Sequence, residues 1–470
     1  MSVSSEGVDT PLRGKVSDDS DERTKPMERS ALLSFGAGAS GIGWVMAVMG
    51  FFMTPFFLDV ALINPGYAGT ILLVGRVWDA FTDPIIGNLT DRTRTRWGRR
   101  RPWLLFSAIP FGILYFGLWQ VPFGQEGDPQ DNQGKKVAYY MVMYCLFETS
   151  MTCFLIPYAT LLLELSNDVQ QRNKLVMTRM MFATVFTLLG AVTQGVLTDI
   201  FVNDQVQAYF LGGLIGGVAI TIPAFITFVG VRERPAHLLG KQQRISMFKG
   251  IFEIIRIRSY MSLTMVYLCC WMAITLVQNN LVLYVAHSTE TSDYETIFLG
   301  VLLLSTFIFL AIWVKVMKRY GKKTTYVIGM SSYIFVFMGL YFIPKGNALF
   351  VGLVSALGGS GTAIGFLIPQ CMLPDVVDED TVKTGYVREG LFFSFFVFFE
   401  KCAVGVALAI SNYALALADY EIGNSESGTQ NARVDQTLRI LVGPLPTFLI
   451  LSSLVILYFY PLTTEKVDAN

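Results

Sequence analysis

Two carboxylates inside an apolar run are the residues of this chain best placed to do chemistry. Asp79 and Asp83 lie in residues 75–103, GRVWDAFTDPIIGNLTDRTRTRWGRRRPW. They stand four apart and so share one helix face. Ionisable groups at membrane depth are costly, and they mark ion and substrate paths. A carboxylate pair offers charge and oxygen ligands to a sodium ion; it would also serve a proton, because burial favours the neutral acid. Thr82 adds a hydroxyl one position away. Arg76, three residues before Asp79, offers the structural alternative, an ion pair with no part in transport.

Other charged residues follow the same logic. Lys401 lies deep in the run 391–415 and needs a counter-charge, for which the Asp79 helix is the natural source. It would hold an anionic substrate group, compete with the cation, or lock two parts of the protein in a buried salt bridge. Glu148 and Thr152 are one helical turn apart. Glu148 would line a cavity; its structural alternative is a pair with Arg179. Asp91, Arg92, Arg96, Arg99 and Arg100 crowd one connection, and Asp375 and Asp378 lie in the acidic segment 374–380. Opposite charge in two connections is expected to form gate contacts that break on switching. Contact of the arginines with membrane-lipid phosphates is the alternative.

These residues must be positioned by membrane-spanning helices. The chain is 53% hydrophobic and only 15% charged, far from the balance of a soluble protein. Twelve apolar runs of bilayer-spanning length occur, at 32–58, 67–90, 103–121, 138–163, 176–197, 208–231, 261–286, 296–317, 325–343, 350–373, 391–415 and 438–460. Lys and Arg concentrate in alternate connections, and the others carry only Lys135, Lys136, Lys345 and Arg433. That asymmetry predicts two cytosolic termini.

The pattern basic–aromatic–Gly–basic–basic recurs as Arg96-Trp97-Gly98-Arg99-Arg100 and Arg319-Tyr320-Gly321-Lys322-Lys323, after the second and the eighth run. It predicts two six-helix halves, 31–231 and 261–462, the internal symmetry of a major facilitator. Residues 1–30 and 463–470 read as cytosolic tails, the first without the apolar stretch of a signal peptide. The linker 232–260 carries Ile245, Phe248, Ile251, Phe252 and Ile255 at helical spacing, which predicts a helix lying on the inner membrane surface.

Composition also excludes. The net charge is zero and the basic cluster is local, so no nucleic acid partner is expected. All six cysteines fall in apolar runs, which predicts no disulfide; His237 and His287 are far apart, which argues against a metal site. No nucleophile–base pairing or phosphate loop points to an enzyme, and no cofactor is expected beyond the coupling ion.

The segment Arg76-Val77-Trp78-Asp79-Ala80-Phe81-Thr82-Asp83-Pro84, with Arg96-Trp97-Gly98 and Pro102-Trp103, resembles the glycoside–pentoside–hexuronide:cation symporters of the major facilitator superfamily. Within that family, Tyr144 to Thr149, Thr152-Cys153-Phe154, Cys371 to Asp378 and Phe393 to Phe399 are most similar to the sodium-dependent lysophosphatidylcholine symporters. The resemblance implies twelve transmembrane helices and cation binding at Asp79 and Asp83. It places Glu148, Arg179 and Lys401 in or near a lipid path, with Lys401 meeting a headgroup phosphate. It implies a plasma-membrane symporter, expected to be a monomer, for a lysophospholipid or another amphipathic molecule. A sugar or glycoside symporter is the alternative, and a membrane scaffold or sensor a third class. Acids that bind sugar hydroxyls in melibiose-type members fall here at Gly43 and Leu155, which argues against sugar.

Overall fold

The computed structural model describes residues 28–123, 132–165, 169–233, 254–384, 389–423 and 430–460. Its helices are α1 Arg29–Pro55, α2 Pro65–Arg92, α3 Arg101–Leu118, α4 Gln133–Leu165, α5 Val169–Ile200 and α6 Gln205–Gly230. The second set is α7 Arg258–Leu283, α8 Glu295–Tyr320, α9 Lys322–Tyr341, α10 Ala348–Thr384 and α11 Glu389–Leu417, closed by α12 Ala432–Val442 and α13 Pro444–Tyr458. Helices satisfy their backbone groups internally, as a bilayer interior demands.

Among the described residues eleven segments are long and apolar enough to cross a membrane, with α12 and α13 counting as one. The twelfth pass is α2, 28 residues long, whose charges are those of the candidate site. Twelve passes leave the first and last helix ends on one side, here the tail side; the other is the far side.

Local sequence sets several helix starts. Asn64 caps α2, its side chain accepting from the Gly66 N–H at 3.0 Å, with Pro65 in the first turn. Asp204 caps α6 in the same way. The repeated motif is also a backbone repeat. Gly98 (φ 112°) and Gly321 (φ 78°) both take left-handed φ values that a side chain would strain.

Each set of six packs within itself. Between the halves α2 packs on α11, α1 on α7 and α5 on α8. Glycines let α1 sit close to its neighbours: a Cβ on Gly43 would lie 2.2 Å from the Ala183 carbonyl oxygen. The aromatic run of α11 divides by face. Phe392 and Phe396 are buried against Tyr260 and Tyr267, while Phe393 and Phe398 are exposed.

Some boundaries differ from the sequence reading. Helix α10 continues past Pro369 and Pro374, so the acidic segment extends the helix beyond its apolar run. The last pass begins at Ala432, six residues before the apolar run, because α12 has one apolar face while its polar face carries Arg433, Asp435 and Arg439. Most of the predicted tails, and the linker pattern at Ile245, Phe248, Ile251 and Phe252, lie outside the described residues. All six cysteines are free.

Candidate ion and substrate site

The second and eleventh passes meet through charge. Lys401 Nζ lies 2.8 Å from Asp79 Oδ2 and 2.5 Å from Asp83 Oδ2. Thr152 of α4 donates to Asp79 Oδ1 at 2.8 Å, with Asp83 Oδ1 at 3.1 Å. Four-residue spacing on α2 thus brings both carboxylates onto one ammonium and one hydroxyl. Asp79 is 1% exposed, whereas the Asp83 side chain is 26% exposed. Asp83 is thus the more accessible of the two carboxylates. Thr82 is buried and donates to the Asp79 backbone carbonyl at 3.2 Å.

A second ion pair lies one turn away. Arg76 Nη1 is 3.3 Å from Glu148 Oε1. Close approach of small residues makes the room: Gly75 fits against the Tyr144 ring, and Gly405 fits against the Arg76 side chain. Trp78 ties α2 to α4 through a 2.8 Å hydrogen bond to Thr149. Beside Lys401, Glu400 accepts a 2.6 Å bond from the Tyr267 hydroxyl of α7. The layer therefore holds four carboxylates, Asp79, Asp83, Glu148 and Glu400, against two cations, Arg76 and Lys401.

Several expectations change here. Arg76 pairs with Glu148 rather than Asp79, because Lys401 from the other half takes the aspartates. Glu148 does not pair with Arg179, whose guanidinium lies 5.4 Å from the Tyr158 ring centre, toward the tail side. Thr152, expected among substrate residues, is bonded to the aspartates. Glu400 was visible in the sequence only as a charge inside an apolar run; its tyrosine partner came from another helix. Among the described residues no cluster of three or more His, Cys, Asp and Glu side chains is arranged for a metal ion. A sodium site would rest on two carboxylates and a hydroxyl.

Several of the charges expected to form a gate make contacts within their own halves. Glu233, just past α6, accepts from the backbone N–H groups of Arg99, Arg100 and Arg101, each at 2.5 Å. The Arg100 side chain donates to Thr90 at 2.7 Å, and Arg96 lies over Trp97. Asp375 pairs with Lys322 at 2.6 Å. Arg92 and Asp378 are exposed. The side chain of Asp91 lies outside the described residues.

The far side is where the halves close. Buried Thr54 donates to Asn279 at 2.6 Å, and Asn279 donates to Ser411 at 3.0 Å. Tyr420 donates to Asp59 at 3.0 Å and lies 3.2 Å from His287. Thr296 donates to Asp199 at 2.7 Å. Toward the tail side α10 instead exposes Phe366, Gln370, Pro374, Asp378 and Val382, one every fourth residue. Helix α10 packs on α7, α8, α9 and α11, which leave this stripe uncovered.

Two six-helix halves, closed at one end and joined mid-membrane by an intersubdomain ion pair, define a membrane transporter of the major facilitator fold. Residues 34–464 match the MFS/sugar transport protein family, and the chain belongs to it. The chain is 32% identical to the sodium-dependent lysophosphatidylcholine symporter 1-B of Danio rerio, over 98% of this chain and 94% of that one. Identity to the Mus musculus sodium-dependent lysophosphatidylcholine symporter 1 is 33%, over 93% and 86%. Identity to the sphingosine-1-phosphate transporter MFSD2B of Xenopus tropicalis is 30%, over 88% and 84%. Among solved structures, the nucleoside transporter NupG superposes with a TM-score of 0.63 at 13% identity, covering 91% of this chain and 98% of that one. A bacterial Spinster homologue in an inward-facing, occupied conformation also scores 0.63, at 11% identity, covering 93% and 97%. These two likenesses concern the fold.

Proposed function

We propose that this protein is a sodium-coupled symporter that moves a lysophospholipid by alternating access, acts as a monomer and has no enzymatic activity. The observation that carries the reading is Lys401 bridging Asp79 and Asp83 across the two halves. An ammonium occupies the place where an alkali ion would sit. Sodium, entering as co-substrate, competes with Lys401 for the carboxylates and takes Thr152 as a further oxygen ligand. The released ammonium then holds the phosphate of an amphipathic substrate, with Arg179 along the path toward the tail side. Coupling follows from this exchange, since one lysine cannot serve both partners. A proton on the aspartates would displace Lys401 by the same logic.

With the tails cytosolic and the protein in the plasma membrane, the conformation described is inward-open. Arg92, Arg96, Arg99, Arg100, Asp91, Asp375 and Asp378 are then the charges that approach one another when the tail side closes. Sugar is disfavoured, because position 43 has no room for an acidic side chain.

Full-length protein in proteoliposomes tests the reading. Labelled lysophosphatidylcholine should accumulate under an inward sodium gradient and stop when potassium replaces sodium. Uptake unaffected by sodium, or uptake of glycosides with none of lipid, would overturn it.

A further inference from the structure

Glu400 is the one carboxylate of the central layer with neither an ion pair nor a threonine bond. Its Oε2 accepts from Tyr267 at 2.6 Å, and no other protein hydrogen bond or ion pair reaches the group among the described residues. Its surroundings are aromatic. Tyr267 stacks on Phe396 at a centroid distance of 4.0 Å and meets Trp271 edge-on at 5.9 Å; Trp271 meets Phe366 at 4.9 Å and 86°. Gln370 Nε2 lies 3.4 Å from the Tyr267 hydroxyl. Phe366 and Gln370 begin the exposed stripe of α10, and Glu400 itself is part-exposed. Lys401 follows Glu400 in sequence and points to α2 instead of α7.

We infer that Glu400, with Tyr267, Trp271 and Phe366, forms a subsite for the ammonium end of a zwitterionic headgroup, beside the Lys401 subsite for its phosphate. Aromatic faces and one carboxylate are the chemistry that holds a desolvated, weakly hydrated cation. Adjacent residues on one helix diverge by about 100°. They therefore present opposite charges to the two ends of one short dipole. An anionic lysolipid would satisfy Lys401 and leave Glu400 facing negative charge, so the pair selects zwitterions. This rests on the proposed lysophospholipid function and names the headgroup that function would take.

The experiment measures binding, so it stands apart from transport. Purified full-length protein in detergent is titrated with glycerophosphocholine and with glycerol-3-phosphate. The wild type should prefer the choline ester. Glu400→Gln should weaken that ligand roughly 10- to 100-fold and leave glycerol-3-phosphate within about two-fold, and Trp271→Leu should give a smaller loss of the same kind. Stabilisation by sodium, read as a rise in Tm, must persist in both variants, which excludes misfolding. Equal weakening of both ligands, an unchanged choline ester, or no wild-type preference would overturn the inference. Choline-ester preference without sodium-driven lipid uptake would instead sink the transport reading and leave the subsite standing.

Discussion

The halves are joined by two seams built from different chemistry. The α2–α11 seam is ionic, with Lys401 between Asp79 and Asp83. On the far side the contacts between Thr54 and Asn279 and between Thr296 and Asp199 rest on hydroxyl groups. In the proposed mechanism a cation competes directly for the first seam. The second offers Thr54 and Asn279 no charge to exchange, and it opens only when the halves rock. In the proposed mechanism ion exchange sits in the ionic layer, and the far-side seam, whose carboxylates Asp59 and Asp199 are held by hydroxyl groups, follows as a change of shape.

Breaking the ionic seam should have the largest effect. Asp79→Asn leaves Lys401 with one carboxylate and removes half the negative charge the pair offers an ion; sodium-driven uptake in proteoliposomes should fall roughly 100-fold or more, the scale of a broken buried pair. Retained uptake with retained sodium dependence would dissociate this layer from coupling.

Lys401→Met removes the competitor instead. Sodium should bind about 10-fold more tightly, as measured with radioactive sodium, while lysolipid uptake is lost. Weaker sodium binding would mean that the lysine supports the ion and does not compete with it.

Thr54→Val sharpens the comparison at the other seam. It removes a buried hydrogen bond with a net value of about 1 kcal/mol, so the far-side-closed population should shift roughly five-fold. Spin labels on far-side loops would read the distance distribution, and sodium affinity at the ionic layer should move by no more than that factor. An unmoved distribution would show that this bond does not hold the seam.

The smallest effect is expected at Lys345, which pairs with Glu290 inside one half, both side chains being about half exposed. Lys345→Ala should change stability by less than about 0.5 kcal/mol. Thermal unfolding that fell further would reveal a role that its exposure does not suggest.

The bundle was legible in the sequence because each pass carries its own signal. A run of apolar residues long enough for a bilayer folds as helix whatever its neighbours do, and the Gly98 and Gly321 motifs mark the duplication through local backbone needs. Asp79 and Asp83 stood out because charge in such a run is rare, and Lys401 as their partner followed from its need for a counter-ion. The pairing of Arg76 did not follow. Asp79 three residues on and Glu148 on another helix are both acids, and sequence distance favours the wrong one.

Composition, helix periodicity and the position of each buried charge were determined by the sequence alone, because they depend on residue type and on spacing along one helix. Which charges meet was decided only by the tertiary structure. Arg76 found Glu148 and Thr152 joined the aspartates where Gly75 and Gly405 bring α2 close to α4 and α11, and Glu400 found Tyr267 through the packing of α11 on α7. A rotation of one residue, about 100°, would exchange those partners while leaving every helix intact.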